Sequence, residues 1–207
     1  MDQVLAVTQE HLAPLVHWRE PTLWYVVASI VFNPTFWNIA ARQEYHRKVF
    51  TRLAGGNSRY GCYILAATIF SLGILRDHLY NVALEHQPKV DMLAYGEVKL
   101  LALVLGVFGS TLVVTSMYQL GIVGTYLGDY FGILMDQRVT AFPFNVSNNP
   151  MYHGSTLSFL AVALWNESAA GLFLSAVVFV MYCIALRFEE PFTGMIYAKR
   201  DAAKKTE

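Results

Sequence analysis

Apolar residues gather into four blocks along the chain, at about 22–41, 61–79, 98–120 and 154–188, with polar stretches between them. A bilayer core of about 30 Å takes roughly 20 helical residues per crossing, so 61–79 and 98–120 each read as one span. The first block carries Asn33-Pro34 at its centre. Proline removes a helical hydrogen bond and leaves polar backbone to satisfy, which predicts a kinked or re-entrant segment over 22–41. Asn166-Glu167-Ser168 interrupts the last block. The piece before it, about 13 residues, is too short to cross untilted, so 154–188 is predicted to be a helical hairpin with its tip at those three residues. Pro191 is expected to stop or bend the last helix, leaving 189–207 as a cytoplasmic tail. The reading is one domain over 1–207: an all-α integral membrane protein with about four to five membrane-embedded helices.

Composition supports the membrane. The chain is 55% hydrophobic and 14% charged, with a mean hydropathy of +0.38, whereas soluble domains carry about 25% charged residues. Acids and bases balance at 15 each, which gives no argument for a nucleic-acid partner. Cys62 and Cys183 lie inside apolar blocks without metal-ligand or disulfide spacing, so no metal is expected. The N-terminus has Asp2 and Glu10 and no basic n-region, which argues against a cleaved signal peptide. Neither GxGxxG nor a Walker sequence occurs, so no Rossmann domain is expected.

Charge also orients the chain. The loops 42–60 and 121–150 and the C-terminal stretch hold 11 of the 15 lysines and arginines; the others are Arg19, Arg76, Lys89 and Lys99. The positive-inside tendency places the first set in the cytosol. Three polar motifs fall on that side.

Gly124, Gly128 and Gly132 stand four apart, which predicts a close-packing helix face. Asp129 beside it is an acid at the end of a span and needs a partner or a task. FPFNVSNNPMYHG, at 142–154, predicts a turn at Asn149 and a helix starting on Pro150, an elbow from which Tyr152 offers a ring and a hydroxyl. In ALRFEEPF, Glu189 and Glu190 point about 100° apart on a helix, so at least one faces the protein. Asn38, Arg42 and His46 share a face beside Trp37 and Tyr45, either as an interfacial anchor or as a lipid-headgroup site. Arg76-Asp77-His78 reads as a membrane-edge cluster on the opposite side. The sequons at Asn145 and Asn166 are short patterns expected by chance.

FNPTFWNIAARQEY, GTYLGDYFGILMD, RVTAFPFNVSNNPMYHGSTLSFL and ALRFEEPFTGMIY together resemble the phosphatidylethanolamine N-methyltransferase family, most closely its fungal phospholipid methyltransferase branch, over about residues 30–197. The resemblance implies methyl transfer from S-adenosylmethionine to the amine of a membrane phospholipid, preferentially the monomethyl and dimethyl derivatives of phosphatidylethanolamine, ending in phosphatidylcholine. It implies cofactor binding by Glu189 and Glu190. Gly109 matches the second glycine of the family's Gly-x-Gly, while Val107 stands at the first, with Gly106 beside it. The Asn149, Pro150, Tyr152 and Gly154 elbow is expected to close the other side of the cofactor. Lys204-Lys205-Thr206-Glu207 resembles a cytosolic dilysine signal for the endoplasmic reticulum, with mitochondria-associated membrane a second location.

An ammonium cannot attack a methyl group until it loses a proton, so a base is needed. Asp129, Glu44, His46 and His153 are the candidates, Asp129 foremost. Trp37, Asn38 and Arg42 are expected to flank a lateral lipid opening, with Arg42 on the phosphate. Two rivals stay open from sequence alone: carboxyl methylation of a prenylated cysteine, and a small transporter or structural membrane protein without enzymatic activity.

Overall fold

A computed structural model describes residues 15–205, and the described residues fold without a strand. The expectations on the N-terminal leader and on the last two residues lie outside them. Six helices follow in order: α1 (Pro21–Arg47), α2 (Val49–Leu53), α3 (Ser58–Glu85), α4 (Gly96–Thr125), α5 (Pro150–Trp165) and α6 (Ala169–Lys204). Three helical stretches are long and apolar enough to cross a membrane: Ser58–Glu85, Gly96–Phe131 and Ala169–Lys204. The chain is an all-α membrane protein.

α1 bears on the first apolar block. It runs as one helix through Pro34 to Arg47, where Lys48 ends it in the left-handed conformation with φ 54°. Leu23, Val26, Ile30, Asn33, Pro34 and Ala41 form its buried stripe. Asn33 Nδ2 donates to Leu72 O of α3 at 3.1 Å, so the polar group beside the proline ties two helices together. Packing holds the helix through a residue that propensity alone would place at its end.

α4 corrects the expectation of a close-packing glycine face. Gly121 adopts φ 62°, ψ −179°, backbone that only glycine occupies readily. The helix is interrupted there, closes at Thr125, and gives way to a 3-10 turn over Gly128–Phe131 with Gly132 at φ 80°. Gly124, Gly128 and Gly132 therefore share no helix face. A Cβ on Gly128 would meet Val123 Cγ1 at 2.2 Å, so the glycine there serves a tight fold-back. That fold-back carries Asp129, next to the buried Tyr130 and Phe131.

α4 lies most closely on α5. Gly109 and Gly154 form the crossing: a Cβ on either would lie 2.6 Å from the other's carbonyl oxygen. α5 and α6 make a hairpin across Asn166, Glu167 and Ser168, with Glu167 at φ 58° and Ser168 Oγ capping α6 through Gly171 N at 3.0 Å. Lys99 fastens the turn, reaching Glu167 Oε1 at 2.6 Å.

α6 does not stop at Pro191 but continues through it to Lys204. Its 36 residues exceed the roughly 20 that a bilayer requires. The expected tail is mostly helix, and Arg200 Nη1 and Tyr197 OH on it hold Met135 O and N at 2.6 and 3.2 Å. Two buried apolar clusters fill the bundle, one around Leu23, Val26, Tyr80 and Leu174, the other around Ala41, Leu65, Tyr130 and Ile196. The candidate site lies between them.

Candidate active site

Glu189 is 9% exposed, on α6. A carboxylate in such a place is expensive unless hydrogen bonds satisfy it. Oε1 accepts from Trp37 Nε1 at 2.6 Å and Asn38 Nδ2 at 2.8 Å, and Oε2 accepts from Tyr152 OH at 2.5 Å. α1 and α5 thus converge on one side chain of α6. The tip of FEEP that had to face inward is Glu189; Glu190 is exposed and accepts from Asn149 Nδ2 at 2.8 Å.

These groups border a cavity of about 550 Å³. Trp37, Asp129, Asn149, Pro150, Tyr152 and Glu189 all line it, so sequence positions spread over about 150 residues meet at one space. Asp129 Oδ2 accepts from Thr193 Oγ1 at 2.8 Å. Thr193 stands four residues after Glu189, one turn along the same face of α6, so both carboxylates are ordered by one stretch of helix. Asn149 ends the loop with its backbone N–H on Ser147 Oγ at 3.1 Å, and Pro150 opens α5 at the first helical position, where it lacks only a hydrogen bond the helix would not make. One turn in, Tyr152 is aimed at Glu189.

The cavity changes character along its length. Asp129, Asn149, Tyr152, Glu189 and Thr193 are polar; Ile69, Phe70 and Ile74 of α3 face Val113, Met117 and Leu120 of α4 across an apolar flank. α3 packs mainly on α1 and α4 on α5, and α3 and α4 touch each other less along this flank. Phe70 and Ile74 are each 56% exposed at its edge.

Several expected site residues lie elsewhere. Glu44 is fully buried and accepts from Phe50 N at 2.7 Å, Thr51 N at 3.1 Å and the Thr51 hydroxyl. It caps α2 and is not available as a base. His46 is exposed, with its ring edge to Tyr45 and Phe192 and outside the cavity lining. His153 is exposed and bonded to Ser147 Oγ at 2.7 Å. Gly109 and Gly154 do not line the cavity, since each is filled by the other's backbone, and Gly106 faces Ala161 Cβ at 3.4 Å from where its own would lie. Arg42 donates to Phe188 O at 2.9 Å and lies over the rings of Phe188 and Phe192, outside the cavity lining. Asn38 acts through Glu189.

The sequence reading missed Arg76, Asp77, Tyr182 and Thr193 at the cavity wall. Arg76-Asp77 is not a distant edge cluster. α3 runs on to Glu85, beyond the apolar block, so Arg76 falls within the helix and its guanidinium reaches Tyr182 OH at 2.9 Å. An arginine inside a span was itself the available signal. Thr193 could have been found by its i+4 spacing from Glu189.

Comparison with known proteins agrees with this architecture. The family model described as "Phospholipid methyltransferase" matches residues 98–200. The chain is 57% identical over 200 residues to phosphatidyl-N-methylethanolamine N-methyltransferase of Saccharomyces cerevisiae, covering 95% of this chain and 97% of that protein. It is 52% identical over 198 residues to phosphatidylethanolamine N-methyltransferase A of Dictyostelium discoideum, covering 95% and 92%. With phosphatidylethanolamine N-methyltransferase of Rattus norvegicus it shares 46% over 181 residues, covering 87% and 90%. No solved structure matches. Identity at this level over nearly the full length sets aside the transporter reading, and the chain belongs to the phospholipid methyltransferase family as a membrane enzyme.

Proposed function

We propose that the chain methylates the amine of phosphatidyl-N-methylethanolamine and its dimethyl counterpart, completing phosphatidylcholine, with S-adenosylmethionine as donor and the cavity as the site of reaction. The observation that carries this reading is Glu189, a carboxylate held by three donors at the polar end of a cavity whose other flank is apolar and open between two helices. A lipid presents an amine and acyl chains together, and the cavity offers a surface for each.

S-adenosylmethionine fits the donor set: when bound it supplies a methyl group on a cationic sulfur, and it carries an ammonium and hydroxyls that carboxylates and an asparagine can hold. Glu189, Tyr152 and Asn149 are the residues assigned to it, with Pro150 shaping the elbow and Glu190 orienting Asn149. A cavity of about 550 Å³ lies within the roughly 300–1,000 Å³ of ordinary ligand sites.

Asp129 is the proposed base. It lines the cavity and is oriented by Thr193, and its carboxylate takes the ammonium proton so that the nitrogen lone pair becomes available. The remaining work is alignment and exclusion of water, which Trp37 and the surrounding apolar wall perform. The end of α6 and the polar mouth are assigned to the cytosolic face of the membrane, supported by the lysine and arginine distribution.

The test uses membranes containing the protein and labelled S-adenosylmethionine, with phosphatidylethanolamine, its monomethyl and dimethyl derivatives, and a prenylated cysteine peptide in separate reactions. Label in dimethyl and trimethyl lipid supports the reading. Label only in the peptide overturns it.

A further inference from the structure

Arg76 is the one cation on the cavity wall among the described residues. Its side chain is 13% exposed, and a guanidinium buried on a helix long and apolar enough to cross a membrane is costly enough to require a reason. Nε and Nη2 donate to Asp77 Oδ1 at 3.0 and 2.9 Å, and Nη1 donates to Tyr182 OH at 2.9 Å. The hydroxyl of Tyr182 meets Ser155 Oγ at 3.1 Å, and the Phe159 ring lies under the guanidinium at 4.8 Å. Arginine has five N–H donors in a planar fork. Three are used in these bonds, so two remain for a further acceptor.

The position matters as much as the charge. Tyr182 precedes Glu189 by seven residues on α6, about 10 Å by helical rise, so the guanidinium and the carboxylate stand at separate levels of one cavity. One end carries the Arg76–Asp77 ion pair, with two guanidinium N–H groups left over, and the other carries the carboxylates of Glu189 and Asp129. A phospholipid with an amine headgroup is the complementary ligand: cationic at its amine, anionic at its phosphate, with acyl chains attached beyond the phosphate. The apolar walls of α3 and α4 begin on the same helical stretch, at Gly73 and Ile74, next to Arg76.

We infer that Arg76 binds the phosphodiester of the lipid substrate, Tyr182 holding the fork in place, so that the headgroup lies between Arg76 and the Glu189 and Asp129 end. Arginine is suited to this task because its fork matches phosphate oxygens in a bidentate manner. Arg42 lies outside the cavity lining, with Nη2 on Phe188 O and its guanidinium over the Phe188 and Phe192 rings. The inference rests on the proposed phospholipid reading and refines its substrate site.

The experiment compares two acceptors with the same acyl chains: dimethyl phosphatidylethanolamine, and a diacylglycerol bearing a dimethylaminoethyl carbamate in place of the phosphate. Wild-type protein should favour the phosphate-bearing lipid by about 10- to 100-fold in kcat/KM, the discrimination expected of charge-assisted hydrogen bonds. In Arg76→Gln that preference should collapse to near unity, while S-adenosylhomocysteine binds as in wild type. If Arg76→Gln does not fold, Arg76→Lys, which keeps the charge and loses the fork, carries the same comparison and should show a reduced preference. A preference retained in the folded variant overturns the inference and leaves Arg76 a staple between α3 and α6. Lost affinity for S-adenosylhomocysteine would put the anion on the cofactor and overturn it likewise. No methylation of either acceptor by wild-type protein would instead remove the phospholipid reading itself.

Discussion

Trp37 Nε1 donates to Glu189 Oε1 at 2.6 Å, joining residues 152 positions apart. Neither residue explains itself alone. An indole on a membrane helix is ordinarily an interfacial anchor, and a buried carboxylate is a liability. Together, with Asn38 and Tyr152, they make a fixed negative group at the edge of an apolar bundle. Such preorganisation is what recognition of a cationic ligand requires.

The glycine crossing separates packing from cofactor binding. Gly109→Ala would place a Cβ 2.6 Å from the Gly154 carbonyl oxygen, where backbone has no room to move aside. Overpacking of this kind costs about 1–3 kcal/mol. Thermal unfolding in detergent should show that loss, while Gly106→Ala, with an ordinary 3.4 Å contact, shows little. Weakened S-adenosylhomocysteine binding at unchanged stability would instead return Gly109 to the cofactor site.

Glu44 is expected to matter for folding and not for proton transfer. Glu44→Gln weakens the acceptor that caps α2, at a cost of about 1.5–3 kcal/mol for bonds to a charged group. Turnover per folded molecule and its pH profile should stay as in wild type. A stable variant without turnover would contradict this.

Gly73 tests the lipid route. It lines the cavity between α3 and α4, and nothing lies within 4 Å of where its Cβ would be. Gly73→Phe should fill the opening and raise KM for the lipid about tenfold or more, the effect of losing roughly 1.4 kcal/mol of binding, with S-adenosylhomocysteine affinity unchanged. Equal KM values would place the entrance elsewhere.

The hairpin turn has its own pH dependence. The hydrogen bond from Lys99 holds the Glu167 carboxyl below the ordinary glutamate range. A folded-state value below the unfolded one stabilises the protein above the unfolded pKa, and that contribution is lost as pH falls through the folded value. The difference in melting temperature between wild type and Glu167→Gln should therefore be largest near neutrality and close as pH drops below about 4. A difference independent of pH would show that the ion pair is not its source.

Reading the sequence marked the apolar blocks, the interruption at Asn166–Ser168, and Trp37, Asp129, Asn149, Pro150, Tyr152 and Glu189 among the residues that line the cavity, because span length and buried charge leave marks in local sequence. It misplaced elements wherever tertiary contacts outweighed local preference. Pro34 and Pro191 stay within helices because neighbouring helices hold them there. The Gly124–Gly132 spacing looked like a helix face, since a glycine at positive φ and a glycine at a helix contact are the same letter. Gly109 and Gly154 show the reverse: only the reciprocal approach of two backbones reveals them as a crossing. Arg76 was read as lying at the membrane edge because the apolar block ends near it, whereas the helix does not.

The central claim is that Glu189, fixed by Trp37, Asn38 and Tyr152, holds the methyl donor. Its direct measurement is equilibrium binding of S-adenosylhomocysteine to the purified protein in lipid nanodiscs, for wild type and Glu189→Gln, with near-equal melting temperatures confirming the fold. Glu189→Gln should lose affinity by about 10- to 100-fold, the value of charge-assisted bonds to a buried carboxylate. Equal dissociation constants in two equally folded proteins would contradict it.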